Sequence, residues 1–220
     1  MGFNPDLNPY VSKMEEHKDI IKKLPVESNG DFLEFIKLSK YLVLDLGCGA
    51  GNFLRDYALR DQNRQFIGFE LRFKRLVKGA IKLKKRDLTN VRLVQSRAED
   101  LKLWLQDKKA NEIYVNFPDP WPKKRHLKHR MMSKPFMMTV KELLEPEDGF
   151  LVFKTDHQSY FQVVKELIDG LEDFIVTEIS YDLHNSEYNE SNIYTEFESL
   201  FKGKGYPVYY LKTKLRNPNV

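Results

Sequence analysis

The residues with the clearest chemical purpose follow a short apolar run: Asp45-Leu46-Gly47-Cys48-Gly49-Ala50-Gly51-Asn52-Phe53. Glycines at this spacing permit a tight turn and let a ligand approach the backbone closely. Glu70 ends the next apolar run about 20 residues on, where a nucleotide-binding fold places the acid that accepts ribose hydroxyls. The spacing separates two cofactor classes. A dinucleotide fingerprint is G-x-G-x-x-G, which would put glycine at Asn52; here the pattern is G-x-G-x-G. Asp45 adds negative charge beside the loop. That is unhelpful to a pyrophosphate and tolerable near an amino group and a sulfonium. The loop therefore reads as a site for S-adenosylmethionine, with Asp45, Gly47, Gly49 and Glu70 as its ligands. Cys48, the single cysteine, reads as a small packing residue and permits no intrachain disulfide.

A second group of residues lies at Asn116-Phe117-Pro118-Asp119-Pro120-Trp121-Pro122-Lys123-Lys124-Arg125-His126. Alternating prolines block both helix and ladder pairing and hold an extended loop. That loop presents a carboxylate, an indole and then a dense basic stretch, which Lys128 and Arg130 extend. Carboxylates accept hydrogen bonds from the N1–H and amino edge of guanine, and lysines and arginines neutralise phosphates. Trp121 is expected to pack under the loop, and the basic stretch to contact RNA. A further basic cluster, Lys82, Lys84, Lys85 and Arg86, reads as the solvated end of a helix.

The proline-rich segment is specific enough to resemble a family, the tRNA (guanine-N7)-methyltransferases. Further resemblances are Asn8-Pro9-Tyr10-Val11 at the N-terminal arm, Gly68-Phe69-Glu70, Thr155-Asp156-His157, and Thr195-Glu196-Phe197-Glu198 followed by Gly203 and Gly205. The resemblance implies S-adenosylmethionine as methyl donor, no metal, and the variable-loop guanine (position 46) of tRNA as acceptor. By position it assigns Asp45, Gly47, Glu70 and Asp119 to the cofactor side. It assigns Lys123, Asp156, Thr195, Glu196, Phe197 and Glu198 to the RNA side. Two positions depart from the family pattern: Asp45, where bacterial relatives usually carry Glu, and Arg97, where an acid usually stands near the adenine. A guanidinium accepts no hydrogen bond, so the backbone of Arg97 and Ala98, or Glu99, is expected to serve the adenine instead.

Guanine N7 carries an in-plane lone pair, so methyl transfer needs no general base and positioning should supply most of the acceleration. The product base is cationic. Asp119, expected at the junction of cofactor and base, is the candidate catalytic residue that stabilises this charge. Asp156 and Glu198 are expected to hold the guanine edge, and His126, His129 and His157 to be loop or RNA-contact residues. Other readings remain: a methyltransferase acting on another RNA or on protein, or a tRNA-binding scaffold without activity.

Positioning these groups requires strands that alternate with helices. Strands are expected at 41–46, 65–71, 91–95, 112–117 and 149–155, and helices at 52–59, 73–86, 137–144 and 160–167. Two last strands, 174–180 and 208–215, have no obvious helix between them and should pair antiparallel. The expected fold is α/β: a doubly wound, mostly parallel, seven-stranded sheet of the class I methyltransferase type (Rossmann-like) with an antiparallel C-terminal strand pair. Residues 1–30 read as an extension, with a short helix over 13–24 ended by Pro25, and residues 31–220 as a single methyltransferase domain. The 220 residues are 41% hydrophobic and 31% charged, with net charge +4, and the pI is near 8.9. Such a chain is long enough for one α/β core. No apolar run approaches the roughly 20 residues of a membrane span, and the polar start lacks a signal-peptide layout. A cytoplasmic, RNA-binding protein is expected, as monomer or homodimer.

Overall fold

A computed structural model describes residues 8–202 and 204–216; Gly203 of the C-terminal motif lies outside the described residues. The chain divides into two compact parts, Met1–Trp104 and Leu105–Val220.

In the first part the helices are α1 (Pro9–Glu15), α2 (Gly30–Leu38), α3 (Asn52–Arg60) and α4 (Phe73–Lys84). The strands are β1 (Ile21–Lys23), β2 (Leu42–Leu46), β3 (Gln65–Glu70) and β4 (Val91–Gln95). All pairings are parallel, in the order β1-β4-β3-β2. Every residue of β2 is buried, as a strand covered on both faces demands. On α4 the apolar positions fall at helical spacing, burying Leu76, Val77, Ala80 and Leu83 and leaving the basic residues Lys82 and Lys84 in the last turn, where they suit the helix dipole. Because the strands are parallel, the loops after β2, β3 and β4 leave from one edge.

The second part begins within the short helix α5 (Leu101–Leu105). It continues through β5 (Glu112–Asn116), α6 (Lys134–Leu143), β6 (Phe150–Thr155), α7 (Gln158–Asp169), β7 (Phe174–Ser180), α8 (Glu196–Lys202) and β8 (Tyr209–Leu215). β5 and β6 are parallel, while β8 runs antiparallel to both β6 and β7. Phe117 and Asp156 therefore leave at one edge. β8 returns at that same edge, with Tyr209 opposite Thr155.

The α/β class, the mostly parallel pairing and the antiparallel C-terminal pair agree with the sequence reading. Three details differ. There are eight strands among the described residues, not seven. The added one, β1, replaces the second half of the helix expected over 13–24. Ile21 and Lys22 are both buried, at 4% and 3% exposure, and adjacent buried residues suit the two faces of a strand better than one helical stripe. α2 forms between the N-terminal residues and β2, burying Phe32, Phe35 and Ile36 at helical spacing. Finally, the connection between β7 and β8 carries α8 and two 3-10 turns. No helix among the described residues is long and apolar enough to cross a membrane.

Candidate active site

The glycine loop after β2 is built by backbone geometry. Gly47, Gly49 and Gly51 have φ of +80°, +58° and +66°, a region that side chains other than glycine enter at a cost. The N–H groups of Gly47 and Cys48 both donate to the Phe69 carbonyl, at 2.8 and 3.0 Å, and tie the loop to the end of β3. A Cβ on Gly68 would stand 2.6 Å from Cys48 Sγ. That explains the glycine just before Phe69-Glu70: the loop packs on it. Burial, reinforced by the Asp45 and Glu70 carboxylates, holds the Cys48 thiol well above its ordinary pKa, so Cys48 packs and does not attack.

Asp45 is buried on β2, opposite Gly68. Glu70 sits half-buried at the end of β3. One of its oxygens accepts from the N–H groups of Leu71 and Arg72 at 2.8 and 2.9 Å; the other takes no hydrogen bond among the described residues. Nothing lies within 4 Å of the position a Cβ on Gly47 would occupy. Open backbone beside a carboxylate with lone pairs to spare fits a nucleoside-bearing methyl donor. Two groups here were not singled out by sequence reasoning. Arg75 places Nη1 2.7 Å from the position of a Gly49 Cβ, so its guanidinium lies against the loop. Asp100 fixes the turn after β4, accepting from Ser96 Oγ at 2.6 Å and Arg97 N–H at 3.4 Å. Arg97 itself is exposed and Ala98 half-buried. A groove of about 490 Å³ near α1 and β1, lined in part by Met14, Lys18, Lys22 and Pro25, holds none of the expected site residues.

In the second part, Phe117 and Trp121 have φ of +50° and +40°. Such backbone costs on the order of 1–3 kcal/mol per residue and gathers at functional sites. Between them Asp119 is exposed. The loop is held from three sides. Phe117 N–H donates to the Lys154 carbonyl at 2.8 Å. Arg130 Nε donates to the Pro120 carbonyl at 2.8 Å, its guanidinium 4.7 Å over the Tyr160 ring. Trp121 packs against His126 and His129, each with ring centroids at 5.4 Å. Trp121 is thus a packing residue as expected. Arg130 clamps the loop where an RNA contact was expected. Lys123, Arg125 and Lys128 are exposed; of Lys124 only the backbone is described.

Asp156 is exposed just past β6. His157 is a helix cap: its Nδ1 accepts from Tyr160 N–H at 3.3 Å at the start of α7. The 195–198 motif differs most from expectation. Thr195 and Glu198 form a reciprocal capping box. Glu198 N–H donates to Thr195 Oγ1 at 3.1 Å, and Thr195 N–H to Glu198 Oε2 at 2.8 Å. The Glu198 carboxylate is fully buried and paired at 3.0 Å with Lys154, which is also buried. Glu198, expected at the guanine edge, is here bonded to internal donors from Lys154, Asn192 and Thr195. Glu196 and Phe197 remain exposed, with the Phe197 ring 6.0 Å from Phe117. Lys154 was missed in the sequence, although a lysine inside the apolar run Phe150–Thr155 is a signal that a carboxylate partner must exist.

Comparison with known proteins decides the family. Residues 39–211 match the methyltransferase family Methyltransf_4, described as "Putative methyltransferase". The chain is 37% identical over 203 residues to the tRNA (guanine-N(7)-)-methyltransferase of Listeria monocytogenes, covering 92% of this chain and 93% of that protein. The chain belongs to the tRNA (guanine-N7)-methyltransferase family. A bifunctional glycosyltransferase/methyltransferase of Fusobacterium nucleatum is 39% identical over 200 residues. Those residues are 90% of this methyltransferase chain but 31% of that longer protein. Among solved structures, a protein of Streptococcus mutans described as "a putative methyltransferase", in complex with SAH, aligns with a TM-score of 0.52 at 16% identity. It covers 89% of this chain and 99% of its own, and so shares the fold.

Proposed function

We propose that the protein transfers the methyl group of S-adenosylmethionine to N7 of a guanine in tRNA, in the variable loop. The observation that carries this reading is the loop at 117–130: an exposed carboxylate, Asp119, fixed between two left-handed residues and leading into exposed Lys123, Arg125 and Lys128. The methyltransferase domain in this reading is residues 31–220, with residues 1–30 as an extension.

When bound, the donor supplies an electrophilic methyl on a sulfonium. Glu70 holds the ribose hydroxyls, Asp45 and the Gly47–Gly49 backbone face the amino-acid end, and Arg75 is available to its carboxylate. The backbone of Arg97 and Ala98 serves the adenine, on a turn that Asp100 fixes. Asp156 and Glu196, both exposed, accept from the guanine edge, and Phe197 offers a face for the base. Lys123 grips phosphate beside the target. N7 would take the methyl carbon with its own lone pair as the methyl–sulfur bond breaks and its electron pair stays on sulfur, releasing S-adenosylhomocysteine, so no residue need remove a proton first. Asp119 stabilises the positive charge that develops on the ring.

Glu70→Ala is expected to weaken SAH binding by about tenfold or more, the worth of charge-assisted hydrogen bonds, with little change in tRNA affinity. Calorimetry with SAH and a tRNA filter assay read the two; equal losses would make Glu70 structural. Replacing exposed Arg125 and Lys128 together with alanine is expected to weaken tRNA binding. It should also flatten the slope of log affinity against log salt by about one unit per lost phosphate contact. An unchanged slope would move the RNA elsewhere on the surface. The class of substrate is tested by offering labelled donor with tRNA, ribosomal RNA and protein. Label in tRNA alone is expected, and label confined to another class would overturn the reading.

A further inference from the structure

Strand β6 carries an ammonium where its pattern calls for an apolar side chain. Side chains alternate along a strand, so Lys154 shares a face with Val152, which packs with Leu183, Val208 and Tyr210, flanked by Phe117 and Tyr188. In that apolar layer Lys154 is 1% exposed and Glu198 is not exposed at all. Three donors stand at the carboxylate, two at Oε2 and one at Oε1. Lys154 Nζ and Thr195 N–H lie 3.0 and 2.8 Å from Oε2, while Asn192 Nδ2 lies 2.8 Å from Oε1; His184 Nε2, at 3.6 Å from Oε1, is too far for a hydrogen bond. Lys154 Nζ also donates to Asn192 Oδ1 at 2.8 Å and to the Ile193 carbonyl at 3.2 Å. Burial pushes the Glu198 carboxyl up, but the Lys154 ammonium and the donors from Asn192 and Thr195 more than offset it, leaving it below its ordinary pKa.

The segment from 191 to 200 is also held at its surface, where Tyr194 stacks on His184 at 5.2 Å and donates to Asn189 Oδ1 at 3.1 Å, and Phe197 lies 6.0 Å from Phe117. Only Ile193, Thr195 and Glu198 are buried there. Lys154 meanwhile links two substrate-side segments of this part, the root of the Asp119 loop and the 195–198 motif. Its carbonyl holds Phe117 at the root of the Asp119 loop, it stands two residues before Asp156 on a strand that ends at Thr155, and its ammonium holds the motif that presents Glu196 and Phe197. We propose that Lys154 and Glu198 form a buried latch that positions the 195–198 motif for the target base, and that Glu198 acts through this latch without touching guanine. Lys154 is thus a positioning residue. The inference rests on the tRNA reading above only for what the motif positions.

Hydrogen–deuterium exchange on the full chain without tRNA reads the latch itself. Glu198→Gln keeps the shape and removes the charge; Lys154→Met removes the ammonium. In each, the amides of 195–200 are expected to exchange about tenfold faster or more, because local opening becomes easier, while β6 and β8 stay protected and SAH affinity is unchanged. Should Lys154→Met fail to fold, Glu198→Gln decides alone. Unchanged exchange at 195–200 overturns the latch.

Methylation kinetics then separate positioning from contact. The KM for tRNA is expected to rise by about tenfold in Glu198→Gln while kcat at saturating tRNA changes little, the pattern of lost uniform binding. A tRNA with inosine at the target lacks the guanine amino group. The latch predicts the same guanine-to-inosine preference in Glu198→Gln as in the parent. A preference that vanishes in the variant would mean that Glu198 grips the base, and would overturn the proposal. Faster exchange in a protein that methylates no tRNA would leave the latch standing and remove the substrate assignment instead.

Discussion

Asp119→Ala is expected to slow methyl transfer about a hundredfold, equivalent to about 2.7 kcal/mol of transition-state stabilisation, a size typical of one well-placed electrostatic group. The substitution should leave the fold intact. Asp119 is exposed, and the loop around it is held by Phe117, Trp121 and Arg130 through bonds and ring contacts that do not involve its carboxylate. Single-turnover rates at saturating donor and tRNA give the chemical step apart from binding. The expected result is a large fall in that rate with SAH and tRNA affinities within a few fold of the parent. A near-parental rate would remove Asp119 from the mechanism and leave positioning as the main source of catalysis.

The second large effect is on stability. Lys154→Met strips the buried Glu198 carboxylate of its cation, as Glu198→Leu strips Lys154 of its anion, and breaking one side of a buried ion pair typically costs about 3–5 kcal/mol. Removing both charges, as in Lys154→Met with Glu198→Leu, should cost far less than the sum of the single changes, since an apolar pair of similar volume is often neutral in such a place. Urea unfolding of the two single variants and the double variant reads this coupling. Strict additivity would show that the two groups do not depend on one another, contrary to their 3.0 Å contact.

Local chemistry was legible in the sequence wherever a few neighbouring residues determine the outcome. An apolar run stopped by glycines gives β2 and its left-handed turns, because no other residue tolerates three positive φ values in so short a span. Alternating prolines dictate the extended loop around Asp119. The antiparallel pairing of β7 and β8 followed from the lack of a regular crossover, although α8 does lie between them. β1 was illegible because three residues carry too little period to distinguish strand from helix.

The candidate site was legible in its residue types but less so in their roles. Thr195 and Glu198 are three apart and obey the rule for a capping box, a local signal that a substrate role overshadowed. His157 and Arg130 have types suited to RNA, yet one caps α7 and the other clamps a carbonyl. The partnership of Lys154 with Glu198 spans 44 positions. Nothing in a single chain of letters announces such a pair except the anomaly of a lysine in a buried strand.

The central claim is methylation at N7 of guanine in tRNA. Its most direct measurement is incubation of unmodified tRNA with the protein and S-adenosylmethionine, followed by borohydride and aniline treatment, which cleaves the chain at 7-methylguanosine. One new cleavage is expected, at a guanine of the variable loop, absent without donor and strongly reduced with Asp119→Ala. Methyl label entering tRNA without aniline-sensitive cleavage, or cleavage only outside the variable loop, would contradict it.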